Sequence, residues 1–149
     1  MSLSISQATE DDVQSVAILF DQYRVFYEQK SDVSLAQEFV RERMKNNESV
    51  IFLAQDECGG AVGFTQLYPS FSSVSARRTW VLNDLYVTSS ARGSGVGRNL
   101  LERAESFSRA AGAKGIGLQT ATNNLSAQRL YERLGYQKNT DFFSYFLSL

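Results

Sequence analysis

A mixed α/β fold is predicted, with a largely antiparallel first half and one central strand–helix–strand unit. Three observations predict it. Apolar residues alternate, or run together, in short stretches bounded by turn residues, as strands require. Elsewhere they recur every three or four residues, as one face of a helix requires. A glycine-rich turn then joins a long strand directly to the most amphipathic of the helical stretches.

Residues 3–7 read as a short strand. Thr9 stands where a helix cap belongs, followed by Glu10, Asp11 and Asp12, carboxylates that the positive end of a helix favours. Val13, Val16, Ala17, Phe20, Tyr23 and Tyr27 continue that helix to about residue 28. Ser34 is the predicted cap of a second helix bearing Leu35, Phe39 and Met44. Residues 49–55, the Gly59-Gly60 turn and residues 61–71 make a hairpin, and a serine-rich loop over 70–76 leads to a strand ending at Val87. Past the glycine turn, Val96, Leu100, Leu101, Ala104, Phe107 and Ala111 line one face of a helix stopped by Gly112. A strand over 114–120, a helix ending at Gly135 and an aromatic strand over 142–149 complete the order. The crossover makes the strands ending near Val87 and Thr120 parallel, and ligands in such sheets sit outside the carboxyl ends of parallel strands.

Composition narrows the chemistry. The 149 residues carry a net charge of −1 and 43% hydrophobic residues, which fits a single domain over 1–149 and gives no general grip on nucleic acid or an anionic membrane. No apolar run is long enough to cross a bilayer, and residues 1–6 lack the basic start of a signal peptide, so a cytoplasmic location is expected. The absence of histidine removes imidazole acid–base catalysis, Ser-His triads and His-ligated metals. The one cysteine, Cys58, lies in the turn Asp56-Glu57-Cys58-Gly59-Gly60, whose carboxylates disfavour a thiolate. No metal is expected, and proton transfers fall to Tyr, Asp, Glu, Lys, backbone or water.

The turn Gly93-Ser94-Gly95-Val96-Gly97 fits neither a G-x-G-x-x-G dinucleotide fingerprint nor a Walker A loop, since glycine is missing at Arg98 and Leu100 and no Gly-Lys-Ser/Thr follows. Its physics still points to phosphate. Glycines let the backbone approach a ligand, and the helix start behind them offers unpaired N–H groups and partial positive charge. The flanking charges are Arg92 and Arg98, with no carboxylate before Glu102. A glycine turn with two solvated arginines is the plain alternative.

Arg92-x-x-Gly95-x-Gly97, after a strand and before a long helix, resembles the pyrophosphate-binding motif of the GNAT superfamily of acyl-CoA-dependent N-acetyltransferases. Asn124, Ala127, Leu130, Tyr131, Gly135 and Tyr136 match that family's N-x-x-A-x-x-L-Y-x-x-x-G-[FY] segment. The strand Leu82-Asn83-Asp84-Leu85-Tyr86-Val87 resembles that of the small-amine, polyamine and histone-type branch. The resemblance runs from about residue 5 to the C-terminus.

It implies a GNAT-like mixed sheet whose two parallel strands splay to bind acetyl-CoA as acyl donor. The backbone of Arg92, Gly93, Ser94, Gly95, Val96, Gly97 and Arg98 would hold the pyrophosphate, and Leu85, Val87 and Asn124 the pantetheine arm. Tyr131 would protonate the departing thiolate, and Asp84 would serve as base or amine anchor. Tyr23, Tyr27, Glu28 and Asn83 would face the acceptor, with Phe26 and Asp32 nearby. Asn83 stands where the polyamine-type pattern often has glutamate, and an amide is no base.

From the residues alone, Asn124 also reads as a helix cap, Tyr131 as a core tyrosine sharing a face with Ala127 and Leu134, and Asp84 as an arginine's partner. Strand alternation places Asn83 and Asp84 on opposite faces. The expected activity is transfer of acetyl to a primary amine by direct attack in a ternary complex, the acceptor being a small cationic amine or a protein or peptide amine. The alternatives are a catalytically silent acyl-CoA-binding regulatory module and a binder of nucleotide phosphates. Aromatic strands near the C-terminus make a homodimer a further expectation.

Overall fold

The computed structural model describes residues 2–149; Met1, the first residue of the stretch weighed as a signal peptide, lies outside the described residues. The chain divides into two compact units, Met1–Leu118 and Gln119–Leu149.

The first unit follows the predicted order: β1 (Ser4–Gln7), α1 (Val13–Phe26), α2 (Val33–Lys45), β2 (Val50–Gln55), β3 (Ala61–Ser72), β4 (Arg77–Val87), α3 (Val96–Ala110) and β5 (Ile116–Gly117). The strands lie in sequence order in one sheet, antiparallel from β1 to β4 and parallel between β4 and β5. The strand–helix–strand unit is therefore β4–α3–β5. Its second strand is shorter than predicted: Ile116 and Gly117 stand in register with Trp80 and Val81, and just before them Lys114 donates to the Arg78 carbonyl and Gly115 accepts from the Trp80 N–H.

Helix ends differ in detail. Thr9 opens a short 3-10 turn, Glu10–Asp12, whose Asp12 carboxylate accepts the Thr9 N–H at 2.9 Å, and α1 starts only after it. The cap of α2 is Asp32 rather than Ser34, with its carboxylate accepting the Leu35 N–H at 3.0 Å. Buried Asp21 explains the shift, because it accepts both the Asp32 N–H and the Ser31 hydroxyl at 2.7 Å and so sets where the chain re-enters a helix.

The two sheet faces have separate cores. Ile51, Leu53 and Phe64 join Val13, Val16, Ala17, Leu19 and Phe20 of α1 and Ala36 and Val40 of α2. On the other face Phe52 and Trp80 meet the ring of Phe107 edge-on at 5.5 and 5.3 Å. There α3 lies against β3 at Gly63. A Cβ at that position would stand 2.9 Å from the Tyr86 carbonyl, 3.1 Å from Val96 and 3.3 Å from Leu100.

The register of β3 on β4 slips once. Leu67 faces Leu82 and Gln66 faces Asp84, so Asn83 is the extra residue of a β-bulge. Before it, Trp80 and Leu82 turn toward α3; after it, Asp84 and Tyr86 turn toward α1 with Gln66 and Phe64. A regular strand would have kept Leu82 and Asp84 on one face. The expectation that Asn83 and Asp84 point apart is corrected by the same bulge, since the Asn83 side-chain N–H reaches the Asp84 carboxylate at 3.1 Å.

In the second unit, α4 (Leu125–Arg133) ends at Leu134, and Gly135 follows at φ 98°, a left-handed stop that glycine supplies. The aromatic strand predicted over 142–149 is absent among the described residues, and Phe142, Phe143, Tyr145 and Phe146 stand exposed. Their β-propensity describes side chains suited to a half-buried pleated surface and does not itself provide a pairing partner. Among the described residues no helix is long and apolar enough to cross a membrane.

Gly63→Ala tests the seating of α3. The added methyl meets a backbone oxygen that cannot swing aside, so the variant should lose about 1–3 kcal/mol in urea unfolding.

Candidate functional site

The turn after β4 leaves the start of a helix open. Gly93 and Gly95 take φ of 81° and 87°, conformations that a Cβ makes costly, and Gly95 leads directly into α3. Among the described residues no side chain caps α3, and its first turn carries no carboxylate. The first N–H groups of the helix thus lack the usual protein acceptor. The Ser94 hydroxyl turns back to the Ala91 carbonyl at 2.6 Å, fixing the turn from within.

The flanking arginines are engaged locally. Arg98 pairs with Glu102 one turn along α3 at 2.8 Å, both half exposed. Arg92 donates to the Val87 carbonyl at 3.0 Å, and its guanidinium sits 5.7 Å from the ring centres of both Phe26 and Tyr86. An open polar hollow of about 550 Å³ lies nearby on the α1 side, between Gln22, Tyr86 and the hydroxyls of Thr88, Ser89 and Ser90. Apart from the Tyr86 phenol, its lining holds one titratable group, Asp56, whose carboxylate already accepts the N–H groups of Cys58 and Gly60. Cys58 is an exposed turn residue.

The chemically unusual cluster lies further back on β4. Asp84 is 3% exposed and accepts from Gln66 Nε2 at 2.5 Å and from Asn83 Nδ2 at 3.1 Å. Its backbone carbonyl accepts the buried Thr65 hydroxyl at 2.8 Å. Burial raises the Asp84 pKa above its ordinary 3.8, against the hydrogen bonds from Gln66, Tyr23 and Asn83, which favour the charged form. It forms no ion pair among the described residues.

Two phenols attend it. Tyr23 extends from α1, packs on Phe64 and Tyr86, donates a long bond of 3.4 Å to the Asn83 carbonyl and also interacts with the Asp84 carboxyl. Tyr68 lies one alternation beyond Gln66 on β3. Burial, then the Asp84 charge, drive the Tyr23 pKa far upward and that of Tyr68 up to about 12. Both phenols are therefore neutral at physiological pH.

Of the acceptor-side residues named from sequence, Tyr23 and Asn83 join Asp84, whereas Tyr27 is half exposed at the end of α1 and Glu28 follows it at φ 65°. Leu85 and Val87 are partly buried between the cluster and the turn. In the second unit Asn124 caps α4, its carbonyl accepting the Ala127 N–H at 3.3 Å, and Tyr131 is partly buried with its ring 5.8 Å from that of Tyr136. Sequence reasoning missed Gln66 and Tyr68. The signal was there in Gln66, a long polar side chain between Phe64 and Leu67 in a predicted strand.

Comparison with known proteins converges on one family. The model of the acetyltransferase (GNAT) family matches residues 14–136. An uncharacterised N-acetyltransferase of Bacillus subtilis, YhfO, is 46% identical over 99% of this chain and 98% of its own. The D-amino-acid N-acetyltransferase HPA3 of Saccharomyces cerevisiae is 36% identical over 54% of this chain and 50% of its own. Among solved structures, that of a probable acetyltransferase superposes with a TM-score of 0.92 at 39% identity, covering 98% of this chain and 97% of the other.

The raised Asp84 pKa has a stability consequence with a definite sign. A carboxyl whose folded pKa exceeds its unfolded value stabilises the fold below the unfolded value and loses that contribution as pH rises through the folded one. Asp84→Asn, neutral and similar in shape, should therefore melt above the parent at pH 7, with the difference closing below pH 3.8.

Proposed function

The chain belongs to the acetyltransferase (GNAT) family, and from that premise we propose that it transfers an acetyl group from acetyl-CoA to a primary amine by direct attack in a ternary complex. That it is an acetyltransferase follows from the family; donor, acceptor and residue roles are our reading. The observation that carries the reading is the bare N-terminus of α3 behind Gly93 and Gly95, at the carboxyl end of the strand that holds Asp84.

The residues present suit a CoA thioester. The N–H groups from Arg92 to Arg98 supply donors for a diphosphate, and both arginines need only exchange exposed local partners to reach it. Backbone groups of Leu85 and Val87 and the side chain of Asn124 would align the pantetheine arm. The thioester supplies an acyl carbon activated toward amines. An acceptor ammonium, with pKa about 10, must shed a proton before it attacks, and Asp84 is the carboxylate set to take it. Tyr131 would return a proton to the departing thiolate. No metal enters the scheme, and no group of three or more His, Cys, Asp or Glu among the described residues is arranged to hold one.

For the acceptor, Asp84 with Tyr23, Asn83, Tyr27 and Glu28 suits a small cationic amine or a peptide amine in chemistry. The name of the yeast relative adds amino acids to the candidates. The proposal takes residues 1–149 as one functional domain, a reading supported by a family match that spans 14–136. It also places the protein in the cytoplasm as a homodimer, with the exposed aromatic side chains of 142–149 covered by a second copy.

Calorimetry should detect CoA binding, and thiol release should appear with at least one amine in a panel of polyamines, amino acids and peptides. Tyr131→Phe should lower kcat about 100-fold or more while leaving CoA affinity within a few-fold. Binding without turnover across the panel would favour a silent acyl-CoA-binding module, and absence of CoA binding at millimolar concentration would sink the proposal. Light scattering should give twice the chain mass, and substitution of Phe143 and Phe146 by serine should halve it.

A further inference from the structure

Gln66 is a long polar side chain at the centre of a sheet, 0% exposed, between Phe64 and Tyr68 on the face turned to α1. Its amide is satisfied at one end only. Nε2 donates to Asp84 Oδ2 at 2.5 Å, while Oε1 is buried with no hydrogen-bond partner among the described residues. A buried carbonyl left unpaired costs stability, and an apolar side chain here would avoid that cost. The bond to Asp84 is what the amide is held by.

The register explains how the pair arises. Without the bulge, Asp84 would turn to the α3 face and Asn83 would stand opposite Gln66. With it, each oxygen of the Asp84 carboxyl receives one side-chain N–H, Oδ2 from Gln66 and Oδ1 from Asn83. A carboxyl that accepts at both oxygens is arranged as a carboxylate.

We infer that Gln66 is a positioning residue for the acetyl-transfer reaction, its amide N–H fixing Asp84 as the charged carboxylate that receives the acceptor's proton. The inference rests on the base role proposed above for Asp84. In the step concerned an N–H bond of the acceptor ammonium breaks, its electron pair stays on nitrogen, and an O–H bond forms on Asp84. Burial works against the charged carboxyl, and no cation among the described residues offsets it. The other groups facing the cluster are Tyr23 from α1, itself touched by Tyr27, and Tyr68 from β3, itself influenced by Arg43 of α2. Both phenols stay neutral, so the hydrogen-bond donors Gln66, Tyr23 and Asn83 carry the task of keeping Asp84 ionised, with Gln66 the strongest of them.

The test follows the Asp84 carboxyl directly. Its carbon-13 resonance, identified by its loss in Asp84→Asn, is titrated in the parent, Gln66→Met and Gln66→Glu, and kcat/KM is measured against pH in the same proteins. Gln66→Met keeps the size and removes the donor, so the carboxyl should titrate about one pH unit higher or more, and the acidic limb of kcat/KM should move with it. Gln66→Glu sets a second carboxyl against the first and should move both further. Should Gln66→Met melt too early to titrate, Gln66→Asn, which keeps the amide but withdraws its donor by one methylene, carries the same comparison. An Asp84 titration unchanged from the parent in the folded variant overturns the inference. If Asp84→Asn keeps the parent's turnover and acidic limb, the base reading fails, and the catalytic half of the inference with it, whatever the carboxyl titration shows.

Discussion

One unpaired residue decides what each side of this sheet can do. The bulge at Asn83 reverses the facing of everything after it on β4, so that the strand contributes Trp80 and Leu82 to the core under α3 and then Asp84 and Tyr86 to the side of α1. Had alternation continued, the carboxyl of Asp84 would lie on the face where α3 packs against β3 at Gly63, a contact that a single methyl would crowd. The bulge places it opposite Gln66 instead. Bulges re-aim side chains at a local cost in pairing, and here the re-aimed residue is the one buried carboxyl of the sheet.

That arrangement opposes stability. Thr65, Gln66 and Asp84 are buried polar residues in the middle of two paired strands, and the hydroxyl of Thr65 is spent on a short bond. The Gln66 carbonyl is unpaired and the Asp84 carboxyl is held above its ordinary pKa by burial. A core selected only for packing would fill these positions with leucine or valine. A buried carboxyl of raised pKa beside an unpaired amide oxygen has the energetic character of a site able to transfer protons. The pattern recurs at the start of α3, where an uncapped helix end stands behind two glycines at positive φ.

Local rules carried most of the fold. The order of elements through β5, the glycine stop of α3 at Gly112 and that of α4 at Gly135 were all legible, because each depends on residues within a few positions of one another. What could not be read depends on distant partners. Asp32 displaces Ser34 as the cap of α2 because Asp21, on another helix, takes hold of its N–H. The bulge is a property of two strands together, so neither the facing of Asp84 nor its bond to Gln66 could be derived from β4 alone. The aromatic run near the C-terminus has the composition of a strand, but a strand exists only where another edge accepts it. For the site, the glycine turn was legible as chemistry because backbone geometry and helix charge are local. The Gln66 and Tyr68 contributions were not, since they act through a carboxyl on the neighbouring strand.

The departure at Asn83 from the pattern that its strand resembles takes on a different meaning once the geometry is known. A glutamate there would set a second carboxylate beside Asp84, and two like charges in a buried site push one of the pair toward its neutral form. An amide does the reverse. Asn83 donates to Asp84 at 3.1 Å and thereby favours the charged carboxyl against the burial that opposes it. On the base role proposed for Asp84, an amide at 83 leaves one carboxyl to take the proton and adds a donor that keeps it ionised. Asn83 and Gln66 reach the two oxygens of one carboxyl from two strands, and the bulge that makes Asn83 the odd residue is also what brings Gln66 opposite. Register, hydrogen bonding and charge thus depend on the same extra residue, so the facing of Asp84 and its ionisation are set together.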